Sequence, residues 1–447
     1  MGGYEPYPEV ASDATPPHWQ IKRLRFGIKM NPSKQELDLK PDELVSFVPM
    51  DAVGELGGIR TDMDKELCDI GSGYTYFRDD DVVVAKITPC FENRKGALAR
   101  GLTNATAFGT TELHVLRADA NQLSPAFLFY LTICDRFRKL GESEMYGAGG
   151  QKRVPETFIK DFRVGLPSVN EQQAITRFLD HKTKQIDALI VKKQALLDKL
   201  AEERAALISH TVTKGLDPTA ETRKSMVPWL GDIPAHWQIM PLKYLCEVGN
   251  GSTPSRDNID YWTDDGYPWL NSSVVNQECV NMADQFVTQL ALKECHLPIV
   301  VPPAVLVGIT GEGKTRGMAT TLMMEATINQ HLAYAKPNDV RLDVRYLRRV
   351  FDRAYAYLRN ESDGGGSTKG AITCDQIANL KIPLPPVEEQ KDIAEAIDNT
   401  LGRINQLGGK VERAIERLLE YRSSLITHAI TGQIDVRHVP IPEPAHA

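Results

Sequence analysis

The chain has 447 residues, more than one hydrophobic core usually organises, so we expect two or three domains. Its 42% hydrophobic and 25% charged residues exclude a disordered chain, and its net charge of −7 argues against a protein that coats nucleic acid by bulk positive charge. No apolar run reaches the roughly 20 residues of a membrane span, residues 1–13 resemble no secretory signal, and the seven cysteines are scattered. We therefore expect a cytoplasmic protein with reduced thiols, no membrane contact and no metal site.

The most informative feature is an internal duplication. Three motifs recur with one constant shift in numbering: PHWQI at 17–21 as AHWQI at 235–239, LPSVNEQ at 166–172 as LPPVEEQ at 384–390, and LISH at 207–210 as LITH at 425–428. Between the first and second motifs the two halves differ strongly. Each half is therefore predicted to be a common frame that carries a variable insert.

The first half, at 16–165, follows an N-terminal extension at 1–15. Its insert reads as mixed α/β, with VVVAKI at 82–87 as a strand and LSPAFLFYLTICDRFRKL at 123–140 as a helix. A glycine-rich stretch ends in Lys152-Arg153. Glycine lets backbone N–H groups approach phosphate and the two cations supply charge, so both residues are candidates for DNA contact.

A long helix is predicted at 166–214, since Asn170 to Thr213 contains neither proline nor glycine. Leu179, Ile186, Leu200 and Leu207 fall on one seven-residue register, which is typical of a coiled coil. At 1.5 Å per residue this helix would be about 65 Å long, longer than a domain of this size is wide. The alternative is an amphipathic helix lying on its own domain. A linker at 215–232 follows.

The second half, at 233–383, contains the strand candidate AVLVGI at 304–309 and, overlapping it, Gly308–Thr315, which fits the nucleotide-binding pattern GxxxxGK[ST]. A P-loop requires a helix that opens at the lysine, so that the helix N-terminus binds phosphate. Here Lys314-Thr315 is followed by RGMATT, a poor helix start, and no apolar strand ending in aspartate offers a magnesium ligand. We favour a loop between two strands over a nucleotide site.

Basic residues lie near the end of the second insert. The predicted helix DVRYLRRVFDRAYAYLRN at 343–360 carries Arg345, Arg348 and Arg349, and the glycine-rich stretch after it contains Lys369. These four residues are further candidates for DNA contact. An arginine-rich helix is equally often a solvated face paired with acids, as Asp343 and Asp352 would permit.

A second long helix, at 384–431, repeats the apolar register of the first, and a tail at 432–447 follows. The register positions are Ile397, Ile404, Val411, Leu418 and Leu425. Two-fold packing of equivalent halves would make the two helices antiparallel and place the domains at opposite ends of a two-helix spacer. No nucleophile, base or metal-ligand spacing proposes a catalytic site, so none is assigned.

Two unlike inserts, each followed by LPxVxEQ and a long helix ending in LI[ST]H, resemble the specificity subunit of type I restriction and modification systems. The resemblance runs from about Pro16 to Asp435. It implies an α+β fold of two target recognition domains, at 16–165 and 233–383, separated by an antiparallel two-helix coiled-coil spacer. Each domain would read half of a bipartite site in double-stranded DNA, and the helices would set the half-site spacing.

The resemblance also implies partners. Modification subunits, two in number, would dock on the helices, bind S-adenosylmethionine and methylate adenine, and a restriction or translocase subunit would use ATP and Mg²⁺. This chain would contain no cofactor and would not itself be an enzyme. Two other classes stay open from the residues alone: a P-loop nucleotide-binding enzyme centred on Gly308–Thr315, and a coiled-coil scaffold that binds only protein.

Overall fold

The chain divides into two compact units in the computed structural model, which describes residues 15–148, 150–311, 313–363 and 370–441. Unit 1 consists of Met1–Gln194 and Glu412–Ala447, and unit 2 consists of Ala195–Val411. The candidate Lys369 lies outside the described residues, as do 1–14 of the extension and 442–447 of the tail.

Unit 1 contains two four-stranded sheets, in the orders β2-β9-β6-β7 and β4-β3-β8-β5, and the separate pair β1-β10. Its strands are β1 Gln20–Arg23, β2 Ile28–Met30, β3 Leu44–Val48, β4 Asp64–Glu66, β5 Thr75–Arg78, β6 Asp81–Ala85, β7 Gly96–Leu98, β8 Thr106–Gly109, β9 Leu113–Ala118 and β10 Arg163–Leu166. Its helices are α1 Pro125–Ile133, α2 Asp135–Ser143, α3 Glu156–Asp161, the first part of α4 Val169–Lys214 and the last part of α8 Val387–Ile430.

Unit 2 contains a five-stranded sheet, β14-β22-β19-β20-β17, a four-stranded sheet, β15-β18-β16-β21, and two separate pairs. Its strands are β11 Thr222–Lys224, β12 Asp232–Pro234, β13 Gln238–Pro241, β14 Cys246–Asn250, β15 Trp262–Thr263, β16 Tyr267–Leu270, β17 Cys279–Val280, β18 Phe286–Val287, β19 Ala304–Gly308, β20 Ala319–Leu322, β21 Thr327–Ile328, β22 Leu332–Pro337 and β23 Lys381–Leu384. Its helices are α5 Gln289–Glu294, α6 Val344–Asp363, α7 Cys374–Ala378, the last part of α4 and the first part of α8.

The predicted strands at 82–87 and 304–309 are confirmed as β6 and β19, each buried along its whole length. Successive side chains of a strand point to opposite faces, so an apolar run must be covered on both. In β6, Val82 and Val84 join one core cluster while Val83 and Ala85 join another. The same alternation in β19 divides its residues between two clusters of unit 2.

The duplicated frame is present in the backbone. In unit 1, β1 pairs antiparallel with β10, and Gln20 lies opposite Leu166. In unit 2, β13 pairs in the same way with β23, and Gln238 lies opposite Leu384, the residues that correspond to them in the sequence repeat. The long helices begin at the corresponding residues Val169 and Val387. The expected mixed helix-and-strand fold, with a long helix after each of two similar frames, is confirmed.

The helix predicted at 123–140 is wrong in one respect, because it is broken into α1 and α2. Cys134 between them has extended backbone, with φ −69° and ψ 152°. The backbone N–H of Asp135 donates to Thr427 Oγ1 at 3.1 Å, and its carboxylate accepts from Ser423 Oγ at 2.7 Å. These contacts with α8 start a new helix that the local sequence does not require.

Both long helices form as predicted, over 46 residues for α4 and 44 for α8. Within unit 2 they run antiparallel: Leu197 lies beside Gly408, and further along α4 Arg204 Nη1 donates to Asn405 Oδ1 at 3.3 Å. The predicted register positions are covered, fully at Leu179, Ile186, Leu200, Ile397, Val411 and Leu425 and partly at Leu207, Ile404 and Leu418.

Candidate nucleic-acid interface

A buried tryptophan joins the entry strand of each insert to its long helix. In unit 2, Trp237 Nε1 donates to Glu389 Oε1 at 3.0 Å, and His236 Nε2 lies 2.9 Å from the other carboxylate oxygen. In unit 1, Trp19 Nε1 lies 3.1 Å from Glu171 Oε1. This contact explains why each half of the sequence contains both the HWQ motif and the glutamate of LPxVxEQ.

The glutamine of the same motif fixes the end of each insert. Gln390 Nε2 donates to the carbonyls of Arg341 and Pro385 at 2.7 and 2.8 Å, and its Oε1 accepts from the Asp343 N–H at 2.9 Å. Gln172 makes the equivalent three bonds in unit 1. Since a buried amide is costly unless all its hydrogen-bonding groups are paired, the frame defines one entry and one exit for each insert.

In both units, backbone hydrogen bonds join three segments of the chain at one end of a sheet. In unit 1 the Lys86 N–H donates to the Glu112 carbonyl at 2.9 Å, and the Val154 N–H donates to the Lys86 carbonyl at 2.8 Å. In unit 2, Ile309 occupies the position of Lys86. The Ile309 N–H donates to the His331 carbonyl at 3.0 Å, and the Ile372 N–H donates to the Ile309 carbonyl at 2.8 Å. Glu112 and His331 therefore occupy matching positions.

The predicted site residues Lys152 and Arg153 lie at this sheet end in unit 1. Arg153 forms a two-pronged ion pair with Glu112, at 2.9 and 2.8 Å, and this hydrogen bonding lowers the pKa of Glu112 and raises that of Arg153. The Lys152 carbonyl accepts from the Thr88 N–H at 3.0 Å while the Lys152 side chain is exposed. The loop thus presents a cation on a fixed backbone, and its contact with DNA stays a prediction.

The candidate arginines of α6 lie in different surroundings. Arg345 is exposed, whereas Arg348 and Arg349 are only 7% and 6% exposed. Both buried guanidinium groups pair with Glu278 and Asp352, and Arg349 also donates to Asp398 of α8 at 2.7 Å.

These ion pairs are those of the alternative given above, an arginine-rich helix paired with acids, and contact of Arg348 and Arg349 with DNA stays a prediction. Burial opposes the charge of Arg349, but Glu278 and the two aspartates outweigh it and raise its pKa. In unit 1 the corresponding α1 residue is Tyr130, whose hydroxyl donates to Asp180 of α4 at 2.7 Å. Asp180 and Asp398 correspond in the sequence repeat, so Arg349 occupies the place of a packing contact between the insert and the long helix.

Gly308 ends β19, and the described residues from Ile309 to Thr315 form part of the loop between β19 and β20, as favoured from the sequence. In the described part of this segment no helix opens at Lys314, whose side chain is exposed. Side chains of α6 bind the loop carbonyls: Tyr355 Oη donates to Lys314 at 2.9 Å and Arg359 Nη1 to Gly313 at 2.7 Å. The geometry does not support a nucleotide site.

Sequence reasoning missed a group of polar side chains at the sheet end of unit 2. Gln330 and His331 are exposed and hydrogen-bonded to each other and to residues of two further loops. No cation or repeated motif marks this turn. These polar side chains are found by comparing the residues that the two inserts place at matching backbone positions.

Apolar side chains are exposed on the long helices. They are Leu189, Val191 and Leu419 in unit 1 and Leu196 and Leu407 in unit 2. Among the described residues no group of histidine, cysteine, aspartate and glutamate could bind a metal ion, and no described helix has both the length and the apolar character to cross a bilayer.

Comparison with known proteins gives a consistent result. A family model described as "Type I restriction modification DNA specificity domain" matches residues 98–198 and 234–417, more than half of the chain. The chain is 36% identical over 177 residues to the Escherichia coli type I restriction enzyme EcoAI specificity subunit, covering 38% of this chain and 30% of that protein. It is 24% identical over 331 residues to the putative MjaX specificity subunit of Methanocaldococcus jannaschii, covering 73% and 72% of the two chains.

Solved structures with the same fold were also found. One, from work on complex assembly and conformational transition of a type I R-M system, has a TM-score of 0.74 at 18% identity and covers 94% of this chain and all of its own. The HsdS subunit of Thermoanaerobacter tengcongensis has a TM-score of 0.55 at 19% identity and covers 94% and 98% of the two chains. The matches to EcoAI and EcoEI span only 30% and 27% of those proteins' own lengths.

Proposed function

This chain belongs to the family of type I restriction modification DNA specificity domains, and from that premise we propose that it is the specificity subunit of a restriction and modification complex. Each unit's insert reads one half of a bipartite site in double-stranded DNA. The chain itself carries out no reaction. Methylation and cleavage belong to its partners.

One observation carries this proposal, namely the identical frame around two unlike inserts. The β1-β10 and β13-β23 pairs have the same register, and Glu171 and Glu389 accept from equivalent tryptophans. An unchanged frame gives both inserts the same attachment, while their loops differ. Such a construction suits two readers that present different side chains to two DNA segments.

The long helices support the docking of partner subunits. Exposed Leu189, Val191 and Leu419, and likewise Leu196 and Leu407, offer apolar surface of the kind that protein interfaces cover. We infer that two modification subunits dock here, one for each half of the duplicated chain. In this proposal S-adenosylmethionine, ATP and Mg²⁺ are bound by partner subunits, a restriction or translocase subunit joins the complex, and the assembly operates in the cytoplasm.

Exchange of one insert tests the proposal. Residues 24–162, between β1 and β10, are replaced by the matching insert of another family member, so that both strands and Glu171 are kept. The exchanged and original chains are expressed with the modification partners, and methylated adenines are mapped across the genome. We expect one half of the methylated motif to change and the other half to stay.

The reciprocal exchange of residues 242–380, between β13 and β23, is the matched control. It should change only the other half of the motif. A change of both halves by either exchange, or of neither half, contradicts two independent readers. Absence of any two-part motif with the original chain would contradict the proposed function itself.

A further inference from the structure

Four polar residues from three loops of unit 2, which we call the Gln330 cluster, are joined by hydrogen bonds. Thr253 Oγ1 donates to Gln330 Oε1, and Gln330 Nε2 lies 3.3 Å from His331 Nε2. His331 Nδ1 lies 2.8 Å from Thr310 Oγ1. Gln330 and His331 are exposed and the two threonines are half-buried. The cluster is therefore an ordered polar surface that solvent reaches.

Strand pairing brings the three loops to one end of the five-stranded sheet. Asn250 at the end of β14 lies opposite Ala333, and Gly308 at the end of β19 lies opposite Leu332. The loop after β14 then passes close to β21, where the Ile328 carbonyl leaves no room for a Cβ on Gly251. Glycine is required at this contact, and the loop continues directly to Thr253.

The matching place in unit 1 has different chemistry. Glu112, which corresponds to His331 in the backbone arrangement described above, forms an ion pair with Arg153 there. In unit 2 the same end of the sheet presents an amide, an imidazole and two hydroxyls instead. The backbone frame is the same in both units, so the two units differ here in their side chains. Such a difference is what two domains that recognise different DNA segments require.

We propose that the Gln330 cluster reads a base pair containing adenine in the half-site recognised by unit 2. A glutamine amide matches the N6 donor and N7 acceptor of adenine in the major groove. Thr253 fixes the orientation of the Gln330 amide by donating to its oxygen, while Thr310 orients His331. The inference rests on the proposed function and identifies side chains of unit 2 that recognise a base in its half-site.

A fixed cation accompanies the cluster on the same loop. The Arg256 guanidinium lies 3.7 Å from the ring centre of Trp262 and 5.0 Å from that of Trp269, and its Nη2 donates to Gln285 Oε1 at 2.6 Å. Stacking on indole stabilises a guanidinium in one orientation. Contacts with phosphate position a protein on DNA without reading sequence, and Arg256 is suited to that role beside the reading residues.

The test uses the full chain assembled with its modification partners. Gln330→Ala should relax one base position of the unit 2 half-site, lowering discrimination against the wrong base by about tenfold to a hundredfold. The other half-site should stay unchanged. Methylome mapping and competition binding with DNA duplexes that vary one position at a time measure both effects. Gln277→Ala, at an exposed glutamine outside the cluster, is the matched control and should leave the motif intact.

Two further variants separate reading from positioning. Thr253→Val removes the hydroxyl that orients the amide and should relax the same base position as Gln330→Ala. Arg256→Gln should weaken binding of all DNA sequences about equally and reduce its salt dependence, with no change of motif. Together the variants distinguish a base contact from a phosphate contact within one loop.

An unchanged motif with Gln330→Ala overturns the inference, as does a uniform loss of methylation at all sites or a change confined to the half-site of unit 1. The original chain is measured in parallel, and the exchange of inserts defines which half-site belongs to unit 2. A chain that confers no bipartite motif refutes the proposed function. A bipartite motif that Gln330→Ala and Thr253→Val leave intact refutes only this inference.

Discussion

A single carboxylate in each half connects the start of the insert to the long helix. Glu389 accepts from the Trp237 indole while the ring of Trp237, only 1% exposed, is packed in the core of unit 2. Gly215, with φ +73°, passes close to both side chains at the end of α4. The contact thus joins the residue before β13, α8 and the end of α4 within one unit.

Glu389→Ala should lower the free energy of unfolding of unit 2 by about 1–3 kcal/mol, because it leaves the buried Trp237 N–H without its acceptor. Chemical denaturation of the purified chain, followed by tryptophan fluorescence, measures the change. The matched control is Glu388→Ala at the neighbouring residue, which is 83% exposed and pairs with Lys391. It should cost less than about 1 kcal/mol. Equal costs for the two variants would refute a specific role for the Trp237–Glu389 contact.

Lys152 and Arg345 are the exposed residues among the described cations that the sequence analysis predicted to contact DNA. Neutralising either residue in the assembled methyltransferase should weaken DNA binding without changing the motif. The dependence of log affinity on log salt should fall by about one for each phosphate contact that the substitution removes. Binding titrations at several salt concentrations measure this slope. If the DNA affinity and its salt dependence stay unchanged, these lysine and arginine side chains contact solvent and not DNA.

At the scale of elements, the sequence predicted the features that local pattern determines. The apolar runs of β6 and β19, the two long helices and the duplicated frame could all be read from periodicity and repeats. Short strands could not, because strands such as β3 form by pairing with partners distant in the chain, in this case β8. The break between α1 and α2 likewise depends on α8, far along the chain.

The sequence predicted only part of the candidate site, because the rest depends on contacts between residues that are distant in the chain. The loop carrying Lys152 is marked by its own glycines, whereas the burial of Arg349 depends on Glu278 and Asp398, which are 71 and 49 residues away. Nothing local distinguishes a paired arginine from a free one. The Gln330 cluster depends on three loops that only the sheet brings together.

The β19-β20 hairpin leads to a prediction about nucleotide. In the described part of this loop no helix begins at Lys314, and Tyr355 and Arg359 bind the loop carbonyls, so phosphate would find no helix N-terminus among these residues. The isolated chain should show no binding in calorimetric titration with MgATP, before or after Lys314→Ala. Binding by the original chain that the substitution abolishes would favour the nucleotide-binding alternative.

At the scale of the whole molecule, the helix pair is predicted to set the half-site spacing. The contact of Leu197 with Gly408 indicates where the antiparallel helices can be shortened together, by deleting 191–197 from α4 and 408–414 from α8. This double deletion removes the exposed Val191 and Leu196 but keeps Leu189, Leu407 and Leu419 of the proposed docking surface. Removing both segments keeps the seven-residue register and shortens the pair by about 10 Å, or roughly three base pairs of DNA. Methylome mapping should show both half-sites unchanged and their spacing reduced by that amount.

Removing 191–197 alone is the control for this experiment. It leaves α8 about 10 Å longer than its partner and should abolish methylation. Retention of the original spacing, with normal activity, by the doubly shortened chain would show that partner subunits, and not the helices, fix the distance between half-sites.

The division of unit 1 into two chain segments has a consequence for its synthesis on the ribosome. Leu425, Ile426 and Ile430 belong to the same core cluster as Leu179 and Ile186, so this core needs both ends of the chain. All of unit 2, from Ala195 to Val411, is translated between those ends. At elongation rates of about 5–20 residues per second that delay lasts roughly 10 to 40 s. Unit 2 can therefore fold first, while the part of the α4 stripe that shares a core with Leu425, Ile426 and Ile430 stays exposed until the end of α8 has been translated.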